Sequence, residues 1–226
     1  MVPTNILQRT FRMKYGESIG TCFTIDLDNR QYIITARHVV EGIQTSDRIS
    51  LQRHGQWREL SVRLVGTGSE DIDIAVMAPP QQISPTHPLI PTTQDLFLSQ
   101  DVYFLGFPYG LQIDVGPELN SSYPLPLVKK GIVSSFEQRD GFYSLMLIDG
   151  HNNPGFSGGP VYYSPIGTRE SRVGGIISGY RYEWEPVFYR QQDAGLRYQS
   201  NTGIIVAWSI RHAVTIIQNN PIGALL

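Results

Sequence analysis

The chain has 226 residues, of which 41% are hydrophobic and 17% charged, with a formal net charge of −2. This balance is ordinary for a globular protein and leaves no basic footprint for nucleic acid or an anionic membrane. No apolar run approaches the roughly 18 residues of a membrane-spanning helix, and the length suits two small domains or one large β domain.

The 15 prolines, 22 glycines and 12 tyrosines favour many short strands joined by turns. Residues 22–26 and 32–35 are predicted strands around the polar turn Leu27-Asp28-Asn29-Arg30. The second runs into Thr35-Ala36-Arg37-His38-Val39-Val40, where one face carries His38 if the strand persists; a short helical turn fits equally well. Residues 49–53 and 59–65 alternate apolar with polar and form a hairpin-like pair around His54-Gly55-Gln56. Residues 71–77 read as a strand with acids, Asp71 and Asp73, at its start. The proline-rich, uncharged stretch from Ala78 to Pro91 is the best internal boundary and reads as an extended connector. Beyond it, residues 101–108, 131–136 and 142–148 are predicted strands. Residues 160–163 and 173–179 flank another turn, and 203–208 is the last strand. Ser209 then caps a predicted helix whose Ile210, Ala213, Val214 and Ile217 fall on one face. There is no internal repeat and no low-complexity tract.

The chemistry concentrates in Asn152-Asn153-Pro154-Gly155-Phe156-Ser157-Gly158-Gly159-Pro160. A serine flanked by glycines is a poor strand or helix. It reads as a tight turn that pushes one hydroxyl forward and frees nearby backbone N–H groups. Nucleophilic acyl transfer needs an exposed oxygen to attack and peptide donors aimed at the developing oxyanion. The motif gains force when a base and an orienting acid lie elsewhere in the chain.

Three segments together resemble the trypsin-like (chymotrypsin-fold) serine peptidases, and among them the HtrA-like branch. They are Thr35-Ala36-Arg37-His38-Val39-Val40, Asp73-Ile74-Ala75-Val76 and Pro154-Gly155-Phe156-Ser157-Gly158-Gly159-Pro160. Their order, His then Asp then Ser, is the order of that fold. Gly106-Phe107-Pro108-Tyr109-Gly110-Leu111 and the strand Gly175-Ile176-Ile177-Ser178 match the branch as well. The resemblance implies an all-β protein of two six-stranded antiparallel barrels with a short C-terminal helix near 209–218. Residues 1–90 would form the barrel carrying His38 and Asp73, and 91–226 the barrel carrying Ser157. In its roles Ser157 attacks the scissile carbonyl, His38 accepts and returns the proton, and Asp73 orients the imidazole. Asp71 is the rival acid, two residues away. The N–H groups of Gly155, Phe156 and Ser157 would form the oxyanion hole. His151, at the base of the specificity pocket, with Ser178, Gly179 and Tyr180 would contact substrate, and His151 would favour an acidic or polar side chain. Activity would rise with pH as His38 loses its proton.

Phe156 departs from the secreted zymogens, where an aspartate before the serine pairs with a newly cut N-terminus. Activation by N-terminal cleavage is therefore not expected. HtrA-like enzymes commonly carry a PDZ module after the protease, whereas Leu226 follows soon after the predicted helix. PDZ-driven oligomerisation is not expected, and specificity would come from a regulatory protein partner. No cluster has metal-ligand spacing, so neither metal nor cofactor is expected. The lone Cys22 allows no intrachain disulfide, and the segment Met1 to Arg9 lacks the apolar core of a signal peptide. Both lean cytoplasmic, with a secreted or periplasmic enzyme trimmed of its leader as the alternative. Two rival functions stand beside the endopeptidase: a catalytically silent peptide-binding module, and an esterase or transacylase on the same triad.

Overall fold

A computed structural model describes residues 1–139 and 141–226. Strands β1 (Thr10–Tyr15), β2 (Ser18–Leu27), β3 (Arg30–Thr35), β4 (Ser46–Arg53), β5 (Gln56–Thr67) and β6 (Ala75–Ala78) close into one antiparallel barrel, in the order β1-β2-β3-β6-β5-β4. Two-residue turns set its register. Asp28 and Asn29 (φ 50° and 58°) join β2 to β3, and His54 and Gly55 (φ 51° and 68°) join β4 to β5. Positive φ at both central residues matches the right-handed twist of the flanking strands. The expected pairs are present, each longer than its alternation suggested. β1 was not anticipated, although Phe11 and Met13 alternate with Arg12 and Lys14 as in a half-buried strand.

Of the two readings after β3, the chain takes the short helical turn, a 3-10 helix at Arg37–Val40. One local expectation is corrected. The predicted strand at 71–77 begins only at Ala75, and its acids lie in a loop closed by bonds from Ile72 N–H to the Ser69 carbonyl and from Gly68 N–H to the Ile74 carbonyl.

The proline-rich connector ends in β7 (Ile90–Pro91), and β8 (Asp101–Gly106), β9 (Leu127–Arg139), β10 (Phe142–Asp149), β11 (Pro160–Tyr163), β12 (Arg172–Tyr189) and β13 (Gln192–Ser209) follow. They form a second sheet in the order β11-β8-β9-β10-β13-β12-β7, and an additional β11–β12 pairing closes six of these strands into a ring. β7 lies parallel to the start of β12, at Arg172 and Val173.

Three apolar clusters follow from the period-2 alternation of strands. Phe11, Met13, Cys22, Ile33 and Met77 fill the first barrel, and Phe104, Val133, Ile148, Val161 and Ile205 the second. The opposite faces of β2, β3 and β6, through Phe23, Ile34 and Val76, pack against Leu105, Tyr162, Ile176 and Trp208 of the second sheet. This is why β2 and β3 read as near-continuous apolar runs: both of their faces are covered. The C-terminal helix (Ile210–Asn219) adds Ile210, Ala213 and Ile217 to this interface, and Ser209 Oγ caps it by accepting Arg211 N–H at 3.3 Å. Each large side chain so buried contributes roughly 1.5–3 kcal/mol, enough in sum to hold the barrels in one arrangement.

β12 and β13 run far past the ring. From Tyr182 to Tyr189 and from Gln192 to Asn201 they pair only with each other, around a turn at Arg190 and Gln191 (φ 48° and 66°). This exposed arm was not expected, because the predicted strands stop at Gly179 and resume at Gly203. The described residues include no helix long and apolar enough to cross a membrane.

Candidate active site

His38 is presented by the end of β3. Ala36 is still extended (ψ 139°), and the 3-10 helix then buries Val39 and Val40, which turns Arg37 and His38 outward. Arg37 donates to the carbonyls of Ser69 (2.9 Å) and Glu70 (2.5 Å), clasping the loop that leads to Asp73. The Asp73 carboxylate accepts from the His38 backbone N–H (2.9 Å), from the His38 ring at Nδ1 (2.7 Å) and from the Ser178 hydroxyl (2.6 Å). Burial works to raise the Asp73 carboxyl. The bonds from the His38 ring and Ser178, with the imidazole charge and the His38 N–H, outweigh it and hold the group below the usual carboxylate range. An ionised carboxylate can only accept, so Nδ1 is the donor in this bond, and in the neutral imidazole Nε2 is the acceptor. Asp71 is exposed, and it is Asp73 that holds the ring.

Ser157 sits where the second barrel touches the first. Thr21 of β2 donates its N–H to the Ser157 carbonyl (2.9 Å) and its hydroxyl to the Gly155 carbonyl (2.7 Å), while Phe107 N–H donates to Thr21 Oγ1 (3.3 Å). Gly158, at φ 83°, lies so close to β2 and β3 that a Cβ would fall 2.1 Å from the Thr21 carbonyl oxygen and 2.2 Å from Thr35 Oγ1. A Cβ on Gly20 would meet the Val39 side chain at 2.9 Å and the Ser157 carbonyl at 3.0 Å. The nucleophile loop and the helical turn bearing His38 are thus brought together across one glycine. The Ser157 hydroxyl donates to the Ser178 carbonyl at 3.2 Å and is not bonded to His38 in this arrangement. Ser178 therefore serves both partners, its hydroxyl on Asp73 and its carbonyl on Ser157.

Two peptide N–H groups of the loop are held ready. Tyr109, in an uncommon left-handed conformation (φ 52°), donates to the Pro154 carbonyl at 3.1 Å. Gly159 N–H donates to the Phe156 carbonyl at 2.8 Å. Across a trans peptide the N–H points opposite to its carbonyl, so Gly155 N–H and Ser157 N–H are aimed away from these bonds. Among the described residues neither N–H has a hydrogen-bond partner. Phe156, expected as a third donor, differs from these two: its N–H donates to the Asn153 carbonyl at 3.3 Å. Its ring is buried edge-on to Phe104, with centroids 5.1 Å apart, which pins this peptide inward.

The other sequence-predicted positions are more dispersed. His151 is exposed; the buried polar side chain here is Asn152, whose amide donates to the Gly179 carbonyl at 3.1 Å. Tyr180 is half-buried on β12. On the His38 side, Arg37, His38, Glu41, Thr67 and Asp73 line an open cavity of about 570 Å³. Sequence reasoning gave no role to Thr21, Tyr109 or Asn152; Tyr109 and Asn152 lie inside the quoted motifs, but the bonds they make are to distant segments.

Two antiparallel β-barrels meeting at a His–Asp pair and a glycine-flanked serine define a chymotrypsin-like fold of the peptidase kind. A family model for the trypsin-like peptidase domain matches residues 20–167, and the chain belongs to that family. In fold it is similar to two solved structures of the HtrA-type protease AlgW with a tripeptide, one of them a variant. Identities are 20% and 19%, with a TM-score of 0.61 for each. Each match covers 96% of this chain and 61% of the other, so the chain spans about three fifths of the length of these structures. No curated protein matches.

Proposed function

We propose that the protein is a serine endopeptidase that hydrolyses peptide bonds through an acyl-enzyme on Ser157. The observation that carries this reading is the His38–Asp73 pair. Three donors keep the carboxylate ionised, and the turn bearing His38 meets the serine loop across Gly20. For attack, the Ser157 hydroxyl leaves the Ser178 carbonyl and turns to His38 Nε2. The oxygen then adds to the substrate carbonyl as its proton passes to the imidazole, and Asp73 stabilises the imidazolium. The oxyanion is met by the N–H groups of Gly155 and Ser157, each worth about 3 kcal/mol of barrier in such sites. Collapse expels the amine, which takes the proton from His38. Water then attacks the acyl group with His38 again as base, releasing the carboxylic acid and Ser157. Substrates would be proteins or peptides extended along β12 at Ser178 to Tyr180, where among the described residues no strand covers the edge away from β13. The single buried thiol fits a reducing compartment, and we extend the reading to a cytoplasmic enzyme.

A fluorophosphonate probe tests this directly. Wild type should be labelled at Ser157, and Ser157→Ala and His38→Ala should not. Wild-type protein inert both to the probe and to a peptide library would remove the proposal.

A further inference from the structure

Lys129 lies on β9, outside the His38, Asp73 and Ser157 set, yet its ammonium reaches into the loop that carries the nucleophile. Nζ donates to the His151 carbonyl at 2.6 Å and to Asn153 Oδ1 at 2.8 Å, and lies 5.6 Å from the centroid of the Phe156 ring. The adjacent Lys130, on the other side of the strand, pairs with Asp101 at 2.7 Å. Alternation thus sends one of two consecutive lysines to an exposed ion pair and the other into the loop. Partial withdrawal from water lowers the Lys129 pKa, a cost its two acceptors and the ring face offset.

The bonds continue from there to the oxyanion donors. The Asn153 carbonyl takes Phe156 N–H, and its side-chain amide donates to the Tyr109 hydroxyl at 3.4 Å. Tyr109 N–H holds the Pro154 carbonyl, which sets the direction of Gly155 N–H. The ammonium therefore clamps residues 151 and 153 at the entry of a turn whose exit supplies both donors.

We infer that Lys129 is a positioning residue: an internal cation, seated against Phe156, that orders the 151–156 turn and so assembles the oxyanion hole without a newly cut N-terminus. This rests on the peptidase reading of Ser157 and explains how a phenylalanine can stand before the nucleophile. Lys129 touches no reacting atom; it acts through Asn153, the His151 carbonyl and Phe156.

The test replaces Lys129 with Met, which keeps the apolar stem and removes the donors. Turnover and the rate of phosphonate labelling at Ser157 should fall about tenfold or more, short of the 10²–10³ of a lost hole donor. KM should change far less than kcat. Amide exchange at Phe156, whose N–H depends on Asn153, should speed up about tenfold. Lys129→Cys supplies the rescue. Alkylation with 2-bromoethylamine restores an ammonium on a stem of similar length, and iodoacetamide adds a neutral cap at the same place. Cys22 is fully buried, so in the folded protein only position 129 reacts. Recovery of activity with the amine and not with the amide supports the inference, and it remains readable if Lys129→Met does not fold. Unchanged kcat in Lys129→Met, or equal activity with the two caps, overturns it. If wild type is not labelled at all, the peptidase reading falls. Amide exchange then decides the role of Lys129 alone, and unchanged protection of Phe156 in Lys129→Met refutes it.

Discussion

Thr21→Val isolates the contact through which the first barrel holds the nucleophile loop. The substitution keeps the shape of the side chain and deletes one oxygen, which is fully buried, donates to the Gly155 carbonyl at 2.7 Å and accepts from Phe107 N–H at 3.3 Å. Leaving a buried polar group without its partner costs about 1–3 kcal/mol. Phe107 N–H keeps a long bond to the Gly155 carbonyl at 3.4 Å, so the two groups are not wholly orphaned. A loss of about 2 kcal/mol is expected, equivalent to about thirtyfold in the folding equilibrium. For a chain of this size that is a drop of about 4–8 °C in melting temperature. The Gly155 peptide loses its strongest tether, so fluorophosphonate labelling of Ser157 should slow as well. Calorimetry and the labelling time course read the two effects, with Thr215→Val on the exposed face of the C-terminal helix as a control expected within about 0.5 kcal/mol of wild type. If Thr21→Val melts with wild type and is labelled as fast, the grip of β2 on the loop is not what holds the site.

Three further outcomes are expected. Asp73→Asn places an amide donor against His38 Nδ1, favours the proton on Nε2, and should lower kcat by about four orders of magnitude. Because the Asp73 carboxyl is held below its usual value, its contribution to stability is complete above the unfolded value of about 3.9. It disappears as pH falls through the folded value. Urea midpoints of wild type and Asp73→Asn should therefore converge on acidification, and a difference independent of pH would contradict the assignment. The Cys22 thiol, fully buried and with its pKa pushed up by burial, should resist a thiol reagent in the native protein and react on unfolding. Rapid native reaction would show that the first barrel opens readily. Replacing residues 183–200 of the arm by a tight Asn-Gly turn should shift melting by no more than about 2 °C, because a two-stranded ribbon is at best marginally stable by itself. A large loss of stability would mean that the arm packs on the barrels.

Much of the site was legible because its chemistry is carried in short motifs. Ser157 lies in a glycine turn that no regular element tolerates, and His38 and Asp73 lie in segments whose order in the chain matches the fold. The positions that were misread depend on neighbours distant in sequence. Phe156 N–H looked like a third donor until the Asn153 carbonyl proved to hold it. Asp73 read as part of a strand because it sits between Ile72 and Ile74 in a segment that runs on through Ala75 and Val76, but only Ala75 onward finds a strand partner. Lys129 and Lys130 are indistinguishable as two lysines in a row. Which of them meets Asp101 and which meets the loop follows from the pairing of β8 with β9.

By itself the amino-acid order determined the alternation that makes strands, the turn residues that end them, and the residue types able to perform acyl transfer, since all of these act within a few residues along the chain. Tertiary structure decided the remainder: which acid meets the imidazole, which peptide N–H groups stay free, which lysine enters the loop, and that the Ser157 hydroxyl rests on Ser178. These depend on packing within each closed sheet and at the seam between them, where Thr21 bonds to the 155–157 loop and Gly158 lies close against Thr21 and Thr35, more than a hundred residues away. Long-range contact of that kind is fixed by how the two closed sheets pack, and local pattern carries no record of it.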